Sequence, residues 1–196
     1  MMVSSTERIK ASLRDYLEAN GWSEEKDEVG SESFYINKPP LMFSLDPSVR
    51  QLPDGFRLSL WASIAAVEFR SIADKILGDP ASLHLMHSLV NLQEDTMVRT
   101  EREAQDSLDH FAHRLFSAGD SEDFESLIRK LCKERPDRPM LDQTMHLAAL
   151  AYLGDDSTLQ DYLSMFERGF RMNFVPAITI DFIRRAYDIA LDRRYS

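Results

Sequence analysis

The chain holds one cysteine, Cys132, among 196 residues. A lone thiol cannot close an internal disulfide, which excludes the staple on which small secreted domains commonly rely. Long apolar runs are missing too. The least polar stretch, residues 58–67, contains Ser59 and Ser63 and is about half the ~20 residues that a membrane-spanning helix needs. The opening Met-Met-Val-Ser-Ser-Thr-Glu-Arg-Ile-Lys has no basic segment followed by an apolar one, so no signal peptide is expected. These absences lead to the expectation of a cytoplasmic protein with no membrane partner. Glycine is scarce, and its seven copies stand singly. That excludes a glycine-rich phosphate loop, a G-x-S-x-G elbow and a dinucleotide fingerprint. Bases are outnumbered: 23 Lys+Arg face 33 Asp+Glu, for a net charge of -10. Phosphate backbones are bound by clustered Lys and Arg, so no nucleic-acid partner is expected and a basic protein partner is. No cofactor is expected.

Apolar material is ample, at 43% of residues against 29% charged, enough for a folded core. The pattern reads as α+β. Ser4 and Glu7 make a capping box, Ile9, Leu13, Tyr16 and Leu17 form one stripe, and Asn20-Gly21 stops the first helix. Residues 24–32 are rich in acids and read as a solvated loop. The period then changes to two. Phe34 and Ile36 mark one strand, Leu41, Phe43 and Leu45 a second that ends at Asp46-Pro47, and Phe56, Leu58, Leu60, Ala62 and Ile64 a third after the turn Pro53-Asp54-Gly55. Trp61 interrupts the polar face of that third strand. Three strands on short turns form an antiparallel sheet with the N-terminal helix free to cover it. A helix from Val67 to Gly78 follows, carrying Phe69, Ile72, Ala73, Ile76 and Leu77. This first layer spans residues 1–78.

Residues 79–196 read as mostly α-helical. Asp79-Pro80 starts a segment in which Leu83, Leu85, Met86, Leu89, Val90 and Leu92 are apolar over much of the circumference, as in a central helix. A longer helix carries Met97, Glu101, Ala104, Leu108, Phe111 and Leu115, and one bent helix over 81–118 is the alternative. Gly119-Asp120 and Gly154-Asp155 lie 35 residues apart, and the same offset aligns Leu115 with Leu150, Phe124 with Leu159 and Ile128 with Leu163. Such spacing belongs to stacked helical hairpins. A last helix, capped by Thr179, carries Ile180, Ile183, Ala186, Tyr187 and Ala190, with Arg193 and Arg194 suiting its C-terminal dipole.

Candidate sites were weighed on residue type and spacing. His84-x-x-His87 and His110-x-x-His113 each place two imidazoles on one helix face. Facing pairs would suit a transition metal, with Asp106 or Asp109 as a carboxylate. Each pair shares its stripe with polar neighbours, Ser88 and Asn91 or Arg114 and Ser117, so solvent-facing histidines are expected and no metal site is assigned. Cys132, between Lys130 and Lys133 near a helix C-terminus, reads as an ordinary thiol. The acids carry the functional hint. Glu24, Glu25, Asp27 and Glu28 precede the sheet, Asp120, Glu122 and Asp123 lie at one hairpin turn, and Asp155, Asp156 and Asp161 lie at the other. These turns lack the glycine and closing glutamate of a calcium loop. Hairpins stacked in register would set them on one edge, a negative rim that steers a basic partner. Helix capping accounts for the same acids without a partner.

The run from His146 to Gly169, with Gly154-Asp155-Asp156 at its centre, resembles the helical hairpins of small acidic immunity proteins of bacterial toxin systems. That resemblance implies a non-catalytic protein that binds a cognate toxin stoichiometrically and occludes its active site. The order helix, three strands, helix up to Leu77 is similar to type III secretion chaperones, in which a second strand pair would follow; it implies a homodimer that holds an effector segment. A metal-dependent enzyme using the two histidine pairs is the third reading. Monomer and homodimer both stay open.

Overall fold

The computed structural model describes residues 5–26, 32–78, 88–133 and 140–195. The chain divides into two units that interleave in sequence: unit 1 is Met1–Ala65 with Val90–Glu122, and unit 2 is Ala66–Leu89 with Asp123–Ser196. The split at residue 78 suggested by the sequence pattern is contiguous, whereas this grouping returns to unit 1 for one strand and one helix.

Unit 1 is built on a period of two. Its strands β1 (Ser23–Lys26), β2 (Glu32–Lys38), β3 (Leu41–Leu52), β4 (Gly55–Ala66) and β5 (Val90–Val98) form one sheet in the order β1-β2-β3-β4-β5. The pairs β1·β2, β2·β3 and β4·β5 are antiparallel. One face is apolar. Phe34, Phe43, Leu45, Phe56, Leu58, Leu60, Ala62 and Ile64 are buried there, with α1 (Ser5–Ala19) and α3 (Glu101–Ser121) packed against each other and against strands of this sheet. The helices contribute Ile9, Leu13 and Leu17, and Ala104, Leu108, Phe111 and Leu115. Polar contacts tie α1 to α3: Tyr16 donates to Asp109 at 2.6 Å, Gln105 to the Ser12 hydroxyl at 2.9 Å, and Arg8 pairs with Glu101 at 2.8 Å.

The sheet therefore has five strands among the described residues, not three. β1 falls where a solvated loop is expected, and β5 corrects the helix read over residues 83–92 and the bent helix over 81–118. Residues 79–87 lie outside the described ones. Helix α3 begins at Glu101, after Thr100 caps it by accepting from the Glu103 amide at 3.1 Å, so Met97 belongs to β5. β3 also runs through Asp46-Pro47 rather than ending there. The β2–β3 register ends with Phe34 opposite Leu45, two residues before Pro47.

Unit 2 is helical: α2 (Val67–Leu77), α4 (Phe124–Lys133), α5 (Met140–Tyr152), α6 (Asp156–Glu167) and α7 (Ile180–Arg194). Helix α5 is central. Leu147 through Ala151 are all buried, and α2, α4, α6 and α7 each pack on α5, as a helix apolar on all sides requires. Its buried polar residues are satisfied. His146 Nδ1 donates to the Leu131 carbonyl at 2.8 Å, which leaves Nε2 to accept from the Tyr162 hydroxyl at 3.1 Å. Gln143 bonds the Asn173 carbonyl at 3.2 Å and the Val175 amide at 2.9 Å, holding the segment before α7.

The two glycine turns of the sequence repeat are not equivalent. Gly154 has φ +68, and the Gly154 and Asp155 amides bond the carbonyls of Ala151 and Leu150, closing α5 with a left-handed stop. Gly119 lies inside α3 and serves another purpose, since a Cβ there would stand 2.8 Å from the Phe43 ring and 3.3 Å from Leu41. Helices α3 and α4 also belong to different units, so the first expected hairpin is not part of one stack. Phe43 has little room to yield, because its ring meets Phe116 edge-on at 5.0 Å. Gly119→Val is expected to lower the unfolding free energy by about 1–3 kcal/mol through overpacking, read as a lower urea midpoint at unchanged m-value; an unchanged midpoint contradicts the close approach.

Candidate functional site

Strand alternation sends every second side chain to the face of the unit 1 sheet opposite α1 and α3. On β4 these are Arg57, Ser59, Trp61 and Ser63, and their partners on β5 are Met97, Asp95, Gln93 and Asn91. On β2 they include Ser33 and Tyr35, paired with Glu25 and Ser23 of β1. The face is mostly small and polar, yet it carries two large apolar groups in the open: Trp61 is 53% exposed and Met97 52%. Hydrogen bonds order the ground around them. The Ser59 hydroxyl donates to Asp95, and the hydroxyls of Ser44 and Ser63 share a bond of 2.6 Å. Counting from the two-residue turn between β3 and β4, Ser44 stands across from Ser63, and Asp46 stands across from Trp61.

Asp46 is the unusual group on this face. Its Oδ1 is buried without a hydrogen-bond partner among the described residues, and burial pushes its carboxyl above the ordinary range while the Ser33 hydroxyl pulls the other way. A half-buried carboxylate beside an exposed indole is thus already short of solvation. Trp61 thus offers an exposed apolar group, and Asp46 stands across from it with Oδ1 buried.

The sequence-derived acids are dispersed by comparison. Glu24 is engaged, paired with Arg14 at 3.1 Å and Lys26 at 3.5 Å. Next to it Glu32 takes Lys26 at 3.1 Å and Arg14; burial opposes its charge, but these two cations hold the carboxyl below the usual carboxylate range. Glu25 is exposed on β1, while Asp27 and Glu28 lie outside the described residues. Asp120 and Glu122 are exposed at the end of α3. Asp123 caps α4 by accepting from the Ser126 amide at 3.0 Å. Asp155 caps α6, accepting from the Thr158 amide at 3.1 Å and its hydroxyl at 2.8 Å, and Asp156 takes both contacts from Arg194, at 2.8 and 2.9 Å. Asp161 is exposed on α6. Asp120 and Glu122 belong to unit 1, whereas Asp123 belongs to unit 2 with Asp155, Asp156 and Asp161.

What the division does concentrate is charge. Unit 1 holds 18 acids against 10 bases and unit 2 holds 15 against 13, so eight of the ten net negative charges belong to unit 1. The helical unit, where the sequence pattern placed the acidic groove, is nearly balanced.

His110 and His113 are exposed on α3, and His113 Nε2 lies 3.7 Å from Asp109. His84 and His87 lie outside the described residues, and among the described ones no group of three or more His, Cys, Asp or Glu is placed to hold a metal. Cys132 is half-buried; burial and the nearby Asp155 charge push its thiol up to about 11, with Arg129 opposing. Among the described residues no helix is long and apolar enough to cross a membrane. In the sequence the sheet face is legible only through Trp61, which breaks the polar side of its strand, because the local pattern of its β5 partners suits a helix.

The chain matches the Family of unknown function (DUF6990) over residues 9–191. No curated protein and no solved structure matches it.

A carboxyl whose value is raised by folding holds its proton more tightly in the native state. Its contribution to stability is complete below the ordinary aspartate range and is lost as pH rises through the raised value. Asp46→Asn, which keeps the bond to Ser33 and removes the charge, is therefore expected to unfold at a higher temperature than the parent at pH 7, with the gap closing toward pH 3. A variant that is less stable at pH 7, or a gap independent of pH, contradicts this reading of Asp46.

Proposed function

This chain belongs to that family of unknown function, and we propose that it is a non-catalytic protein-binding module of the immunity type, which neutralises a cognate toxin by stoichiometric binding in the cytoplasm. The observation that carries the reading is the pairing of an exposed Trp61 and Met97 with a unit that holds eight net negative charges. Large aromatic side chains supply most of the binding energy in protein interfaces when a partner desolvates them. Net negative charge around them steers a basic partner and raises its rate of encounter. Trp61 and Met97 then serve as anchors, and Glu25 and Asp95, on the same face, as the acids that meet the basic partner. Glu24, Asp123, Asp155 and Asp156 already serve ion pairs and caps within the fold.

Co-expression with the product of the adjacent gene tests this. A one-to-one complex and protection from that product's toxicity are expected, and Trp61→Ala should weaken the complex by roughly 30-fold, about 2 kcal/mol, while leaving the unfolding midpoint within error. Absence of a complex, or a complex indifferent to Trp61→Ala, contradicts the reading.

A second reading, a chaperone for a secreted effector, draws support from β5. Helix, strands and helix are followed by a strand and then α3, which supplies one member of the strand pair that such chaperones place after their second helix. It requires a homodimer, so a strictly monomeric mass in solution across the micromolar range contradicts it.

A further inference from the structure

We infer that the outer edge of β5 accepts an extended basic segment of the partner as a sixth strand; this rests on the protein-binding reading of the adjoining face and specifies how that face is reached. The two edges of the sheet are built differently. At one edge β1 is four residues long, Ser-Glu-Glu-Lys, and Glu24 and Lys26 are locked in ion pairs with Arg14 and Glu32. Short, charged edge strands are poor templates for further pairing. At the other edge β5 is nine residues long, Val90–Val98, and every residue from Val90 to Val98 is paired with β4. It contains no proline, glycine or lysine, and its two charged residues, Glu94 and Asp95, are engaged by Arg114 and Ser59 within the unit. Among the described residues no strand lies beyond it. A paired, extended strand of this length presents about half of its amides and carbonyls outward over roughly 30 Å, which is the template that strand addition uses.

Charge selects the occupant. An antiparallel pairing of β5 with a second copy of itself, centred on the strand, would set Glu94 against Glu94, and a shift by one residue would set Glu94 against Asp95. Like charges directly opposite destabilise a strand pair, and two copies of unit 1 would each bring eight net negative charges. A basic strand meets neither obstacle. Its alternate side chains would extend the row of Asn91, Gln93, Asp95 and Met97, all exposed on the face that holds Trp61. Cross-strand neighbours lie ~5 Å apart. A lysine or arginine would then fall beside Asp95 and an apolar side chain beside Met97, so the edge supplies register and the face supplies selectivity.

The probe is the nonapeptide Thr-Lys-Thr-Val-Thr-Lys-Thr-Val-Thr, whose lysines and valines alternate along one face of an extended strand, added to the full-length chain, with backbone amide exchange read residue by residue. Alternate amides within residues 90–98 should slow by roughly tenfold or more at saturation, the effect should weaken with added salt, and the same peptide with a central proline, or with glutamate in place of lysine, should produce none of it. Unchanged exchange across β5, whether the peptide binds elsewhere or not at all, overturns the proposal, as does concentration-dependent protection of β5 by self-association without peptide. The outcome separates from that of the function reading. If the adjacent gene's product binds, is weakened by Trp61→Ala and leaves the β5 amides exchanging freely, strand addition falls and the face reading stands. Peptide protection of β5 alongside a protein complex indifferent to Trp61→Ala has the opposite meaning.

Discussion

Unit 1 depends on one constraint: α1 and α3 both pack on one face of its five-stranded sheet, so the other face is built without them. Helices α1 and α3 occupy the apolar side, and their alignment is secured by polar bonds. The Tyr16 hydroxyl is the clearest case. Its bond to Asp109 and its partial burial push the phenol up to about 12, so it stays a donor throughout the physiological range. Phe116 then lies between Trp22, stacked at 6.0 Å, and Phe43, edge-on at 5.0 Å, with the Lys38 ammonium 3.3 Å from its ring centre. Gly119 lets α3 approach that cluster closely. Once this side is complete, the opposite face must be solved with serine, asparagine, glutamine and charge, and Trp61 and Met97 are the exceptions that need a reason.

Unit 2 is organised by the opposite principle, a helix buried on all sides. α5 can be central because its polar residues find partners within the unit, His146 between Leu131 and Tyr162, and Gln143 on the backbone of residues 173–175. Arg171 reinforces that backbone by donating to the carbonyls of Val175 and Ile178, both at 2.7 Å. Asp123 and Asp155 serve as helix caps and Asp156 binds Arg194. The charge of unit 2 is nearly balanced, and most of the excess of acids belongs to unit 1.

Where one physical signal dominated, the sequence was readable. Helix α2 is bounded by Val67 and Gly78 as its stripe suggests, β4 follows its alternation through ten residues, and the buried positions Ile183, Ala186 and Ala190 of α7 were all visible in its stripe. β5 was hidden by a competing pattern. Leu89, Val90 and Leu92 suit a helix locally, while the alternation that continues through Glu94, Thr96 and Val98 includes a carboxylate on the helix-facing side. That position is tolerable because Arg114 reaches it from α3, a partner twenty residues away that local periodicity does not see. The start of α3 carried a usable sign, Thr100 followed three residues later by Glu103. β1 carried none, because four polar residues become a strand only by pairing with β2. The acids misled for a related reason: capping and recognition draw on the same residue types, and only the hydrogen bonds of Asp123 and Asp155 tell the two apart.

On the proposed reading, a basic protein binds the face of the unit 1 sheet opposite α1 and α3. Oxidative footprinting of the chain, alone and with the adjacent gene's product, reads that face directly. Trp61 and Met97 should be labelled in the free chain and protected in the complex, with Trp22, buried at 5% exposure, silent in both. A complex in which Trp61 and Met97 remain as reactive as in the free chain would contradict the account.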